Sequence, residues 1–312
     1  MVVTSVVDSS LSQVPENLVV EGVPSHSAEL KAEAGRYLEF RAAGFTSWHP
    51  TKREMLVSTR FGDTPQLHEV KMPGGARRQL TFSPEPVGGG VWQPKQGRYI
   101  VFAQDTGGGE FYQYHRLDPD TGRITLLTDG KSRNGSGRFS KDGESFAYTS
   151  TRRTGRDTDV WLMNPAEPKS DRLLCELSGG GWGVSDWSHD GTKLLLLEYI
   201  SINKSRLYLV DAKTGAKELL TPDEATPVAY GEAQFAKDGK SIFITTDKDS
   251  EFQRLARLDL ATKQLTVLTA DLNWDVDSFD LSPDAKTIAF ITNEDGVGKI
   301  HLIEAKSGKK LR

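Results

Sequence analysis

Three pentapeptides decide the fold: Phe139-Ser-Lys-Asp-Gly143, Trp187-Ser-His-Asp-Gly191 and Phe235-Ala-Lys-Asp-Gly239. Each sets an aromatic residue before a short polar turn ending in Asp-Gly. That dipeptide signals a hairpin, because a type I′ turn needs positive φ at both central residues. The runs that follow are rich in apolar, β-branched and aromatic residues: Ser145-Phe-Ala-Tyr148, Lys193 to Leu197 and Ser241-Ile-Phe-Ile244. Such runs read as strands. The cadence extends both ways, through Trp48-His-Pro-Thr51 and Trp92-Gln-Pro-Lys-Gln-Gly97 upstream and Leu281-Ser-Pro-Asp-Ala285 downstream. The six anchors lie 44, 47, 48, 48 and 46 residues apart. Ala285 stands where the turn glycine should be, which weakens that single turn.

Two further strands complete each unit. The third is plain in Val160-Trp-Leu-Met163 and Leu207-Tyr-Leu-Val210, the fourth in Arg78-Gln-Leu-Thr81 and Glu218-Leu-Leu-Thr221. Turns such as Asp211-Ala-Lys-Thr-Gly215 join them. Four antiparallel strands about every 45 residues are the period of a β-propeller blade. A sandwich, the structural runner-up, would not repeat so regularly. The expected fold is all-β: a β-propeller of six four-stranded blades, the last incomplete, at about 43–84, 88–130, 135–176, 182–222, 229–271 and 275–312. Residues 1–42 read as an N-terminal arm, with a weakly helical stretch from Ala28 to Ala34. The segment Arg36 to Arg41 is a candidate strand for closing the ring. The other account of the incomplete sixth blade is truncation of a longer propeller.

The composition suits a folded protein. Of 312 residues, 37% are hydrophobic and 26% charged, which excludes a wholly disordered chain. The net charge of −4 supplies no global basic field, so nucleic acid is not an expected partner. No apolar run approaches the roughly 18 residues that span a bilayer. Met1 to Asp8 lacks the pattern of a secretory leader, and the expected location is cytoplasmic. The one cysteine, Cys175, sits in an apolar string and reads as a buried thiol.

Topology separates two faces. Strand 1–2 and 3–4 turns lie on one; strand 2–3 and blade-to-blade loops lie on the other and vary. Variable loops on a rigid scaffold are where binding lives. Arg60, Glu110, Arg152, Arg153 and Glu251 are the loop charges chosen as candidates for a substrate rim. Catalytic motifs are missing. Gly183-Val-Ser185-Asp-Trp187 fails the last position of a nucleophile elbow. Gly130-Lys-Ser132 and Gly239-Lys-Ser241 lack the earlier glycine of a phosphate loop. The six histidines have no ligand spacing, and Asp118 with Asp120 is too little of a calcium loop. No cofactor and no metal are expected.

The Ser-x-Asp-Gly turns and Leu-Thr fourth strands resemble TolB-like propeller repeats. Thr59-Arg-Phe-Gly-Asp-Thr-Pro-Gln-Leu-His68, Met72-Pro-Gly-Gly75, Arg78-Gln-Leu-Thr-Phe82, Gly109-Glu-Phe-Tyr-Gln113 and Thr128-Asp-Gly-Lys-Ser-Arg-Asn134 resemble the N-terminal propeller of bacterial prolyl-oligopeptidase-family serine peptidases, acylaminoacyl-peptidase-like and dipeptidyl-aminopeptidase-like enzymes among them. The likeness spans about residues 36–312. It implies a non-catalytic portion that gates peptides for an α/β-hydrolase domain absent from this sequence, so no triad residue is carried over. The family often has seven or eight blades. Two other readings stay open: a stand-alone scaffold binding a protein or peptide on the variable-loop face, and an enzyme with a site in the central channel.

Overall fold

The computed structural model describes residues 18–24 and 26–311. Six sheets follow one another along the chain, each built from sequence-adjacent antiparallel strands. Blade one holds β1 (Ala43–Trp48), β2 (Met55–Thr59), β3 (Gln66–Val70) and β4 (Arg77–Gln79). Blade two holds β5 (Gly90–Trp92), β6 (Ile100–Gln104), β7 (Gln113–Asp118) and β8 (Arg123–Leu126). Blade three holds β9 (Asn134–Phe139), β10 (Phe146–Ser150), β11 (Asp159–Asn164) and β12 (Glu167–Cys175). Blade four holds β13 (Trp182–Trp187), β14 (Lys193–Ser201), β15 (Lys204–Asp211) and β16 (Lys217–Leu219). Blade five holds β17 (Tyr230–Phe235), β18 (Ser241–Thr246), β19 (Arg254–Asp259) and β20 (Leu265–Val267). Blade six has three strands, β21 (Val276–Leu281), β22 (Thr287–Glu294) and β23 (Val297–Glu304). A lone bridge from Ile303 to Lys310 marks the place of its fourth. The fold is the expected β-propeller with an incomplete last blade.

The repeated turn chemistry has a direct cause. In Ser140, Ser188 and Ser282 the hydroxyl donates to the aspartate two residues on, at 2.5, 2.6 and 2.7 Å. It also accepts the amide five residues on, at 3.0, 2.9 and 3.0 Å. Each turn therefore satisfies its own backbone before any tertiary contact forms. The sixth turn closes without glycine, Ala285 taking φ +55°. The Leu-Thr fourth strands work similarly. The hydroxyls of Thr81, Thr128, Thr221 and Thr269 accept amides of the third strand at 2.8–3.1 Å. They continue the ladder where the short outer strand ends. Blade three has Cys175 at this place, buried and with its thiol pushed up by burial.

Five apolar clusters fill the spaces between successive blades. In β14, Leu194 and Leu196 pack against blade three while Leu195 packs against blade five. A strand buried on both faces loses the in–out alternation, which explains the continuous leucine run. Asp186 of β13 ties three blades: it holds Lys141 of blade three at 2.7 Å and accepts the Phe235 amide of blade five at 2.8 Å. Among the described residues no cluster joins blade six to blade one. The anchors record that seam: Trp187 is 1% exposed, but Trp48 is 60% exposed.

One expectation fails. Arg36 to Arg41 does not close the ring, because α1 (Ala28–Leu38) runs through its first half and none of it pairs with a strand. The helix starts at Ser27, whose side chain accepts the Leu30 amide at 3.1 Å, and good helix formers carry it on. It buries none of its residues. Residues 1–17 of the expected arm lie outside the described residues.

Candidate functional site

The β14–β15 hairpin is longer than the sequence suggests. Its ladder runs to Ser201↔Lys204, leaving Ile202-Asn203 as a two-residue turn. The tip carries apolar side chains into solvent: Tyr199, Ile200 and Ile202 are 51%, 44% and 86% exposed. Ser205, just past the tip, donates to the Tyr230 carbonyl and accepts the Tyr230 amide, both at 2.6 Å. That pair fixes the hairpin against the start of β17.

Between the hairpin and blades five and six lies a pocket of about 400 Å³ on the variable-loop face. Leu197, Tyr199, Ile202, Tyr230 and Val276 give it apolar walls. Glu232, Asp275 and Asp277 give it acidic ones, and no lysine or arginine lines it. Two of these carboxylates are oriented by backbone: Asp275 accepts the Gln253 amide at 2.7 Å, and Glu232 accepts the Phe279 amide at 3.1 Å. None of the three forms an ion pair among the described residues. Tyr230 is 8% exposed. Burial pushes its phenol up to about 12, helped by the carboxylates of Glu224, Asp247 and Asp249. A second pocket on this face, about 570 Å³, is lined by Glu224, Asp247, Asp249 and Glu251.

The charges chosen from sequence do not converge on one site. Arg60 reaches only the Phe40 carbonyl, at 3.5 Å. Glu110 accepts Arg133 at 2.8 Å on blade two. Arg152 is committed to Asp171 at 2.6 Å and lies 3.6 Å above the Trp161 ring. Arg153 grips the fully buried Asp159 through two bonds at 2.8 and 3.0 Å and also donates to the Leu177 carbonyl. These two arginines hold their loop in place. Glu251 lines the 570 Å³ pocket. Sequence reasoning passed over Glu232 of blade five and over Asp275 and Asp277 at the start of blade six, more than 40 residues further on. The signal available was the pair Ile200 and Ile202, two apolar residues at a strand 2–3 connection.

The histidines make no nucleophile–base relay in the described residues. His49 accepts backbone amides, and His68 and His115 meet carbonyls of their own strands. His301 comes nearest to one, with Thr292 at 2.9 Å and Glu294 at 3.1 Å. Both contacts use the same ring nitrogen, Nε2, so the carboxylate cannot orient the ring for proton transfer from the hydroxyl.

No family model matches the chain. Tol-Pal system protein TolB of Francisella tularensis subsp. mediasiatica is 26% identical over 229 residues, 72% of this chain and 50% of that protein. Dipeptidyl-peptidase 5 of Porphyromonas gingivalis is 27% identical over 140 residues, 41% of this chain and 20% of that protein. The chain thus spans half or less of the curated relatives it matches. Among solved structures, a prolyl endopeptidase from a study of two such enzymes superposes with a TM-score of 0.72 at 16% identity, over 90% of this chain and 44% of that one. Prolyl oligopeptidase B from Galerina marginata gives 0.68 at 13%, over 88% and 43%. TolB from Acinetobacter baumannii gives 0.56 at 18%, over 86% and 62%. By these likenesses the chain is a β-propeller, similar in sequence to TolB and in fold to TolB and to the prolyl oligopeptidase structures.

Proposed function

We propose that the chain is the non-catalytic propeller portion of a prolyl-oligopeptidase-family serine peptidase, and that its variable-loop face holds and selects peptides for a hydrolase domain. The observation that carries this reading is the pocket beneath the β14–β15 hairpin. It joins exposed apolar side chains to oriented carboxylates on the face where the loops vary. Concave sites with apolar walls and a few placed polar groups are the usual form of a binding site. The likeness to prolyl oligopeptidases and to a dipeptidyl-peptidase supports a peptide as the ligand. The likeness to TolB favours a second reading, a scaffold for a protein partner on the same face.

Fluorescence anisotropy of labelled peptides titrated with the purified chain tests the first reading. Saturable binding, weakened when the hairpin tip is changed by Ile202→Ser, is the expected result. Absence of saturation for every peptide, up to about millimolar protein, overturns it.

A further inference from the structure

We propose that a groove along the outer strand of blade five is a carboxylate-binding subsite, with Arg254 as the group that receives the charge. The groove holds about 450 Å³ and shares no lining residue with the hairpin pocket. On one side is β20, whose Leu265 and Val267 stand on the same face, as alternate residues of a strand do. On the other are Lys248, Asp249 and Ser250, from the loop between β18 and β19, and Arg254, the first residue of β19. Lys263, in the turn before β20, completes the charged lining.

Arg254 is the only arginine among the buried residues described, at 9% exposure. Its Nε donates to the Ser250 hydroxyl at 3.1 Å and its Nη1 to the Thr269 carbonyl at 3.0 Å, both neutral acceptors. Among the described residues Nη2 has no acceptor, and no carboxylate pairs with the guanidinium. Arg116, Arg152, Arg153 and Arg206 are all more exposed, and each holds a carboxylate. A buried charge ordinarily has a partner of opposite sign, which offsets its lost hydration. The acids around Arg254 do not fill that role. Asp271 is taken by Lys310 at 2.7 Å, and Asp249 lines the groove but is exposed and forms no ion pair with Arg254. The two lysines are already neutralised, Lys248 by Glu224 and Lys263 by Glu218. One positive charge is left over. It matches a monoanionic carboxylate, which Nη2 meets with a charge-assisted bond. A phosphate dianion would bring a second negative charge beside Asp249. Leu265 and Val267 offer apolar surface to the body that carries the carboxylate, as the last residue of a peptide does.

The experiment uses the whole chain and two pairs of short peptides, each labelled at a blocked N-terminus. The first pair ends in leucine, with a free carboxylate or an amide. The second ends in an amide, with glutamate or glutamine as its last residue. In anisotropy titrations at least one carboxylate peptide should bind about tenfold tighter than its neutral partner. The pair that shows the preference tells a terminal carboxylate from a side-chain one. Raising NaCl from about 50 to about 300 mM should shrink the preference. Arg254→Gln should abolish it, with circular dichroism verifying the fold. Val267→Glu leaves the bonds of Arg254 to Ser250 and Thr269 in place and sets a competing carboxylate in the groove, so the preference should fall below about threefold. Arg123→Gln, which removes a positive charge from blade two, should leave it unchanged. Equal binding within both pairs, a preference that survives Arg254→Gln or Val267→Glu, an equal loss with Arg123→Gln, or no binding by any of the four overturns the subsite. Binding that depends on Ile202 but not on a carboxylate overturns it too, and leaves the hairpin pocket standing.

Discussion

Asp190 accepts from the Ser188 hydroxyl, the Thr192 amide and the Thr192 hydroxyl, and these donors hold its carboxyl down at about 2. The ordinary value is 3.8. A carboxyl depressed in the folded state stabilises above its unfolded-state value and loses that contribution as pH falls through its folded value. The turn is therefore at full strength above about pH 4 and fails toward about pH 2. Asp142 and Asp284 are lowered for the same first cause, a serine hydroxyl two residues back. Urea midpoints measured across the acid range should fall in this window for the native protein. Asp190→Asn should lower the midpoint at neutral pH and flatten the acid limb; an unchanged limb would show that the turn does not contribute. At this scale the sequence was readable, because Ser-x-Asp-Gly contains donor, acceptor and permissive backbone within five residues. Ala285 is the exception: the ladder of blade six forces φ +55° on a residue that would not choose it.

In each blade but the third and sixth, a threonine hydroxyl substitutes for the missing end of the outer strand. Thr221 illustrates it: it is 4% exposed and accepts the Leu207 amide at 2.8 Å. Thr221→Val keeps the shape and orphans a buried N–H, at a cost of about 1–3 kcal/mol, whereas Thr221→Ser restores the acceptor and should recover most of it. Chemical denaturation of the two variants measures the difference, and equal stabilities would refute the role. The elements also show where sequence reading stopped. β12 starts at Glu167, well before the apolar string around Cys175, and β14 continues past Leu197 to Ser201. Their extra residues are polar or mixed, so propensity does not mark them. The tight turns at Pro165-Ala166 and Ile202-Asn203 keep the strands paired.

Across the whole molecule, five interblade cores serve six blades, so the ring has one seam among the described residues. Phe45 and Trp48 of blade one, and Ile291, Ile300 and Leu302 of blade six, are 41–74% exposed. Their counterparts elsewhere are covered by the next sheet. The two tryptophans Trp48 and Trp187 hold the same place in the repeat and should differ sharply on truncation. Trp187→Ala empties a packed core and removes the bond from its ring nitrogen to the Arg138 carbonyl, so it should cost about 3–5 kcal/mol. Trp48→Ala should change stability by less than about 0.5 kcal/mol. A large loss on truncating Trp48 would mean that the seam is sealed in solution.

The repeat, its strand count and the chemistry of its turns were determined by the sequence alone, since each depends on residues within one blade or one hairpin. The candidate rim was not. Which loop charges are free depends on partners such as Asp159 for Arg153, which only folding brings alongside. The pocket was decided by tertiary structure for the same reason. Its walls come from a hairpin of blade four and from the loops and first strands of blades five and six, and nothing in the linear order says that Ile202 will share a pocket with Glu232, Asp275 and Asp277.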